Sequence, residues 1–161
     1  MVCACSPSPK SAVIPQNIDA RFSKRYVRIQ SENLKQIDLS NGILLQANIK
    51  NSSLKSCKFE QLLLNGGQFE RATIADCEFS KSSLAGTIFK ESRIENVRFN
   101  NSDLAGARFI QSSLKDISFQ GVDLKDAVFI LTKIDNVTFD KETNLPFSRE
   151  VALKLGMIYV E

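Results

Sequence analysis

A large apolar residue recurs at every fifth position from Ile29 to Phe139. All 23 positions of this series are Leu, Ile or Phe, although such residues make up only roughly a quarter of an average chain. A period of five matches neither the period of about 3.6 of an α-helix nor the period of 2 of a β-strand. A short fixed period over most of a chain predicts stacked repeats in which each unit contacts only its neighbours.

Each five-residue unit has the pattern of a short extended segment followed by a corner. The residue two before the large one is usually small, as in Ala47 and Ser82, and such a pair points to one side of an extended segment. The residue two after it is often Asn, Asp or Gly, as in Asn51, Gly86 and Asp116, and these residues tolerate turn conformations.

Several units carry a recognisable consensus, namely SDLAG (102–106), VDLKD (122–126), ANIKN (47–51) and ARFIQ (107–111). They resemble the pentapeptide-repeat family, whose pattern is Ala-(Asp/Asn)-(Leu/Phe)-X-X, and the resemblance covers about 115 of the 161 residues. It implies an all-β fold, a right-handed, four-sided parallel β-helix with four units per coil. The second position departs from the pattern where Lys, Arg, Ile or Ser replaces Asp or Asn.

Residues 20 apart fall into uniform columns, which favours a square coil independently of the family resemblance. The four columns are Leu44, Leu64, Leu84, Leu104 and Leu124 (the Leu44 column); Ile49, Phe69, Phe89, Phe109 and Phe129 (the Phe69 column); Leu54, Ile74, Ile94, Leu114 and Ile134 (the Ile74 column); and Phe59, Phe79, Phe99, Phe119 and Phe139 (the Phe79 column). A five-sided coil would mix residue types within each column. The series predicts nearly six coils and a rod roughly 25–30 Å long.

The repeat divides the chain into four segments. We expect a disordered tail over 1–15, an N-terminal cap over 16–26, the β-helix over 27–141, and a C-terminal cap helix and tail over 142–161. Glu32 and Ile37 occupy positions where small residues belong, so we expect the first coil to be distorted.

The C-terminal segment has helix signals. Ser148 is a candidate N-cap and Gly156 a candidate residue just past the end of the helix. Val151, Ala152 and Leu155 provide an apolar side that either covers the last coil or forms a dimer contact.

Two groups of apolar residues fall at outward positions of the coil, and such clusters usually mark a docking surface. The first is the predicted docking surface for the N-terminal cap: Ile43, Leu45 and Leu63. The second is the predicted interaction face, for the C-terminal segment or a second copy of the chain: Ile88, Ile110, Val128, Ile130 and Leu131.

The sequence lacks histidine, on which many catalytic and metal sites depend. The chain has no His, which excludes Ser-His and Cys-His pairs and every His metal site. Cys57 and Cys77 lie 20 apart at small inward positions and are expected to be buried, stacked thiols. The sequence therefore predicts a protein that is not an enzyme and has no metal and no cofactor.

The N-terminal Cys3 and Cys5 are candidates for lipidation. A Cys-X-Cys pair at the start of a chain resembles the dually palmitoylated start of some membrane-anchored scaffold proteins, because two acyl chains anchor where one does not. The alternative is that Cys3 and Cys5 are unmodified, exposed thiols. The chain has no signal-peptide core and no run of 18 apolar residues, so we expect a cytoplasmic location and membrane attachment only if Cys3 and Cys5 are acylated.

Charge and resemblance together give the functional hypothesis. Between positions 27 and 141 the chain has 15 Lys and Arg against 14 Asp and Glu, so it lacks the basic stripe of a nucleic-acid binder. We expect an interaction or scaffold module with a protein partner of unknown identity. The resemblance also implies a homodimer through the C-terminal end. The alternative that it implies, a DNA-mimicking ligand of DNA gyrase like the quinolone-resistance members, requires acidic faces.

Overall fold

The computed structural model describes residues 27–161. The predicted tail (1–15), the predicted cap (16–26) and the lipidation candidates Cys3 and Cys5 lie outside the described residues. Within 27–161 the chain forms short strands and one helix: β1 (Arg28–Gln30), β2 (Asn33–Lys35), β3 (Asn48–Lys50), β4 (Ser53–Lys55), β5 (Gln68–Glu70), β6 (Thr73–Ala75), β7 (Ile88–Lys90), β8 (Arg93–Arg98), β9 (Arg108–Ile110), β10 (Ser113–Ser118), β11 (Val128–Ile130), β12 (Lys133–Phe139), α1 (Arg149–Lys154) and β13 (Met157–Tyr159).

The strands form two parallel sheets whose neighbours come from successive coils. One sheet has the order β1-β3-β5-β7-β9-β11, and the other has the order β2-β4-β6-β8-β10-β12-β13. Ile49 pairs with Phe69, and Leu54 pairs with Ile74, so the register is 20 residues. On the side of the coil that carries the Leu44 column, isolated parallel bridges such as that between Ile43 and Leu63 join successive coils. The predicted four-sided parallel β-helix is confirmed.

The columns pack inside the coil and form one continuous core. Every column residue from Ile29 to Leu124 is at most 9% exposed. Aromatic rings stack along the axis, with centroids 4.9 Å apart for Phe69–Phe89 and again for Phe89–Phe109. The two Phe columns also meet across the core, where the rings of Phe89 and Phe99 are 6.4 Å apart and nearly perpendicular. Both geometries are favourable for aromatic pairs.

The corners are made by residues in the left-handed backbone region. Asn51 has φ 51° and Asp116 has φ 53°, and residues at the equivalent positions of other units behave alike. Asn and Asp reach this region at less cost than most residues do. At Gly121 (φ 65°) a Cβ atom would lie 2.5 Å from Oδ1 of Asn101, so a larger residue at this corner would displace that side chain.

Small inward serines connect successive coils through hydrogen bonds. The hydroxyls of Ser92 and Ser112 donate to the backbone carbonyls of Phe69 and Phe89, at 3.1 Å in both cases. The hydroxyl of Ser82 donates to the carbonyl of Phe59 in the same way. A buried hydroxyl without such a partner would cost free energy, so a small residue with a hydroxyl fits this position.

Two expectations change at the ends of the repeat. The first coil keeps the 20-residue register, with Ile29 paired to Ile49 and Leu34 to Leu54, so the predicted distortion is wrong. Beyond the nearly six coils of the repeat, β13 pairs with residues 137–139 of β12 and adds a seventh, partial layer. The sequence repeat does not contain this layer because β13 follows the helix.

The helix signals at the C-terminal end are confirmed. Ser148 is the N-cap of α1, and its hydroxyl accepts from the amide of Val151. Gly156 follows the helix with φ 89°. Of the expected apolar side, however, only Ala152 is buried, whereas Val151 and Leu155 are exposed. The alternative in which all three residues cover the last coil is therefore wrong for two of them.

Substitution of Phe99 by Ala should lower the free energy of unfolding by about 3–5 kcal/mol, because it leaves a cavity in the middle of a Phe column. The Phe99 ring is fully buried between those of Phe79 (5.2 Å) and Phe119 (5.6 Å). Urea denaturation measures the effect. Phe129→Ala is the matched control, and it should cost less because Phe129 is only half-buried. An unchanged unfolding midpoint for Phe99→Ala would refute the stacked-column core.

Candidate interaction surfaces

Exposed apolar side chains gather at the C-terminal end of the rod. Among the described residues eight large hydrophobic side chains are exposed, and seven of these lie at position 128 or beyond: Val128, Ile130, Leu131, Val151, Leu153, Leu155 and Ile158. The eighth is Leu63. Apolar surface concentrated in one region is typical of a contact surface, whereas scattered residues need no explanation.

The predicted interaction face is only partly continuous. Ile110 pairs directly with Ile130, so these two side chains are neighbours on the outer surface. Ile88 and Val128 are instead separated by Arg108, which pairs with both. The structure therefore brings together Ile110, Ile130 and Val128 and leaves Ile88 at the margin. The 20-residue spacing of positions 88, 108 and 128 already contains this order.

Leu131 is the most exposed large hydrophobic residue of the described chain, at 77%. It has φ 50° at a coil corner, where the equivalent residues of earlier coils are polar: Asn51, Arg71, Glu91 and Gln111. Among the described non-glycine residues with positive φ, it is the one with a hydrophobic side chain. An exposed, conformationally costly Leu has no role in the core, so its side chain is a candidate contact residue.

The α1 surface is defined here as Val151, Leu153, Leu155 and Ile158. It belongs to the C-terminal segment, so the outward positions of the repeat could not predict it. The helix rests on the rod through Ala152. Its end is fixed by Arg149, whose guanidinium lies 3.5 Å from the centre of the Tyr159 ring. The apolar residues of α1 and β13 were the sequence signal for this surface. Which of their side chains face outward depends on how the two elements dock on the last coil.

The predicted docking surface for the N-terminal cap is present on the opposite part of the rod. Ile43 bridges to Leu63 in the next coil, and Ile43 and Leu45 are half-buried while Leu63 is 42% exposed. The three side chains therefore form one apolar strip near the N-terminal end. The segment expected to cover it lies outside the described residues, so its docking remains a prediction.

Cys57 and Cys77 stack in adjacent coils as buried free thiols. The amide of Cys57 donates to Sγ of Cys77 at 3.4 Å. The hydrogen bond to the Cys57 side chain and burial raise the pKa of Cys77, although the hydrogen bond from the Cys57 amide by itself lowers it. A buried thiol that resists ionisation is a poor nucleophile, so Cys77 is part of the core.

Side chains that could bind a metal ion are dispersed in the part of the chain that the structure describes. In residues 27–161 no group of three or more Asp, Glu, Cys or His side chains is placed to hold a metal ion. Every buried side-chain N and O atom of this part of the chain has a hydrogen-bond partner. The inward serines are among them, and their hydroxyls donate to backbone carbonyls.

Opposite charges pair across successive coils. Nζ of Lys50 lies 2.7 Å from Oε2 of Glu70, and Nε of Arg71 lies 2.9 Å from Oε2 of Glu91. Such exposed pairs contribute little stability. They do interrupt any continuous stripe of one sign on these sides, which DNA mimicry would need.

The helix of the described chain is short. Within residues 27–161 no helix has the length and apolar character needed to cross a membrane.

Comparison with known proteins gives one family match. A family model described as a pentapeptide repeat region matches residues 72–145. No match was found among curated protein sequences.

Several solved structures are similar to this chain at low identity. A pentapeptide repeat protein (Rfr23) from the cyanobacterium Cyanothece is 16% identical with a TM-score of 0.37, over 76% of this chain and 90% of that chain. A trypsin-treated form of QnrB1, a plasmid-mediated fluoroquinolone resistance protein, is 13% identical with a TM-score of 0.38, over 88% and 92%. A pentapeptide repeat protein of the Arabidopsis thaliana thylakoid lumen is 21% identical with a TM-score of 0.32, over 81% and 74%.

The carboxylate of Asp140 accepts hydrogen bonds where the chain leaves the repeat, and its pKa gives a prediction for stability against pH. Partial burial raises the pKa of Asp140, but hydrogen bonds from the Gly121 amide (3.0 Å), the Thr143 hydroxyl (2.8 Å) and the Glu142 amide (3.1 Å) outweigh this, and the net pKa lies below its ordinary value of 3.8. A lowered pKa stabilises the fold at neutral pH, and that contribution is lost as the pH falls through the folded-state value.

Asp140→Asn should therefore unfold at a lower temperature than wild type at pH 7 and lose less stability on acidification from about pH 5 downwards. Thermal unfolding over a pH series measures both effects. Asp126→Asn is the control, because Asp126 is an exposed corner carboxylate that accepts no backbone hydrogen bond from the described residues. Parallel acid profiles for wild type and Asp140→Asn would show that this carboxylate does not hold the cap.

Proposed function

The chain contains a pentapeptide repeat region, and from this premise we propose that it is a non-enzymatic protein–protein interaction module. The observation that carries the proposal is the position of the exposed hydrophobic residues, since seven of the eight in the described chain lie at its C-terminal end. A solenoid presents long rigid surfaces, and its end layers are the places where stacking is incomplete.

The interior of the rod supports a role without catalysis. Its serines donate hydrogen bonds to backbone carbonyls, as Ser92 does to Phe69, and its cysteines are buried. The free, adjacent thiols of Cys57 and Cys77 favour a reducing compartment, so we propose a cytoplasmic location.

The α1 surface supports self-association as one of these interactions. Leu153 and Leu155 are 48% and 45% exposed, and Ile158 follows them on β13 at 44%. A two-fold dimer uses the same patch on both copies. Exposed aliphatic side chains need no opposite charges across such an interface, so we propose that two copies meet through the α1 surface, in which Val151 and Leu155 lie on one side of the helix and Leu153 on the other.

Replacing Leu153 and Leu155 together by Glu should weaken the dimer at least tenfold, because four carboxylates would be brought together in the interface. Sedimentation equilibrium over a range of concentrations measures the dimer constant. Leu63→Glu is the matched control, since Leu63 is similarly exposed (42%) but lies away from the C-terminal end. A monomeric wild type at all concentrations would show that self-association is not the interaction.

The DNA-mimic alternative makes a different prediction for DNA gyrase. With 15 basic and 14 acidic residues between positions 27 and 141, the rod lacks the net negative charge of DNA. We therefore expect micromolar protein neither to inhibit gyrase supercoiling nor to protect the enzyme from a fluoroquinolone. Inhibition or protection at these concentrations would contradict this expectation and make gyrase the partner.

A further inference from the structure

The strand β11 is an open edge of its sheet. It is the last strand of the six-stranded sheet, in which each earlier strand is followed by the strand of the next coil. The other sheet is closed over residues 137–139 by β13, and the Leu44 side is closed by a bridge from Asp123 to Asn144. The C-terminal end is therefore closed on two sides and open along β11. Exposed strand edges are templates for pairing with another chain.

The backbone groups at this edge follow from the preceding coils. In the previous coil the carbonyl of Ala107 accepts from the Val128 amide (2.9 Å), and the amide of Gln111 donates to the Ile130 carbonyl (2.8 Å). The equivalent groups one coil later are the Ala127 carbonyl and the Leu131 amide. Neither has a hydrogen-bond partner among residues 27–161. The parallel ladder places the amide and carbonyl of Phe129 on the same open side.

The helix α1 does not cover the edge formed by β11. No Cα atom of α1 lies within 8 Å of a Cα atom of β11, whereas neighbouring strands are only about 4.8 Å apart. Phe129 and Ile134, the last members of their columns before the open end, are half-buried although earlier members are fully covered. The ring of Phe147 covers part of Phe129 from the core side, with centroids 6.0 Å apart, and the backbone groups of Ala127 and Leu131 remain unpaired beside it among the described residues.

We propose that β11 accepts an extended segment of a partner protein, which adds to the six-stranded sheet as a parallel strand. The proposal rests on the interaction role given above but concerns a surface other than α1. The Ala127 carbonyl and the Leu131 amide supply main-chain hydrogen bonds, and Val128, Ile130 and Leu131 contact the side chains of the added strand. Strand addition of this kind combines main-chain affinity with side-chain selectivity.

The surface defines the chemistry of the partner segment. Earlier coils alternate an inward apolar residue with mostly polar outward neighbours, but Val128, Phe129 and Ile130 are all apolar. Since directly paired side chains contact each other, the segment should carry apolar residues opposite Phe129 and Ile130. Two copies cannot pair β11 with β11, because β13 and the segment from Asn144 to Phe147 form a layer beyond this level and would meet first.

A peptide copied from the preceding coil is the probe. Residues 105–116 contain β9, in which the Arg108 amide donates to the Thr87 carbonyl (2.9 Å) and the Ile110 carbonyl accepts from the Glu91 amide (2.9 Å). Placed on β11, the same two groups meet the Ala127 carbonyl and the Leu131 amide. Fluorescence anisotropy of the labelled peptide with the full chain measures binding, and amide hydrogen exchange by NMR locates it.

We expect saturable binding that slows exchange of the Leu131 and Phe129 amides at least tenfold. The same peptide N-methylated at Arg108 should bind at least tenfold more weakly, because it lacks the donor to Ala127. Leu131→Asn should weaken binding by a similar factor without lowering the unfolding temperature, because Asn51 occupies the equivalent corner at φ 51°. Leu63→Asn is the control for loss of an exposed Leu and should bind normally.

The measurements are repeated on the Leu153→Glu/Leu155→Glu variant, which separates this surface from self-association through α1. Peptide binding that persists there supports the strand site even if no dimer forms. Absent binding, unchanged amide exchange, or equal binding of the N-methylated peptide would overturn the proposal. If the wild type forms a dimer that Leu131→Asn dissociates, and no peptide binds, the edge belongs to an interface with a second copy. That result would also overturn the proposal.

Discussion

The structure depends on one constraint, the 20-residue register that stacks each inward side chain on its equivalent in the next coil. Main-chain hydrogen bonds run along the rod axis, so each coil is the template for the one that follows. The stacked rings of Phe69, Phe89 and Phe109 show how closely the copies superpose, with centroids 4.9 Å apart. Because both the ladder and the core are built this way, interior coils satisfy each other and the unsatisfied groups are at the ends.

The C-terminal end solves this problem only in part. The chain leaves the repeat at Asp140, whose carboxylate accepts backbone hydrogen bonds, and returns through α1 to add β13. This closes one sheet and leaves β11 as the edge of the other. Native proteins usually protect edges with charge, proline or a covering element, because an exposed edge pairs with other chains. Here the edge has aliphatic side chains instead, which is consistent with a surface that is used.

The sides of the rod differ from its end in character. Opposite charges in adjacent coils, such as Lys50 and Glu70, neutralise one another and leave a mostly polar surface. Polar sides keep the rod from associating along its length. Outward apolar residues occur in few places, namely the Ile43–Leu63 strip near one end and the β11 and α1 surfaces at the other.

The sequence by itself determined the coil, its columns and its corners, because a strict period specifies which residues face inward whatever the surroundings. It also located the candidate contact residues Val128, Ile130 and Leu131, since positions outside the apolar series must face outward. The same 20-residue spacing places Arg108 between Ile88 and Val128, as the strand pairing confirms. The tertiary structure decided that α1 buries Ala152 and exposes Val151 and Leu155, and that β13 pairs with residues 137–139 of one sheet but leaves the edge of the other open. Residues 142–161 have no repeat and therefore no register to copy, so only their docking against the last coil determines what is covered.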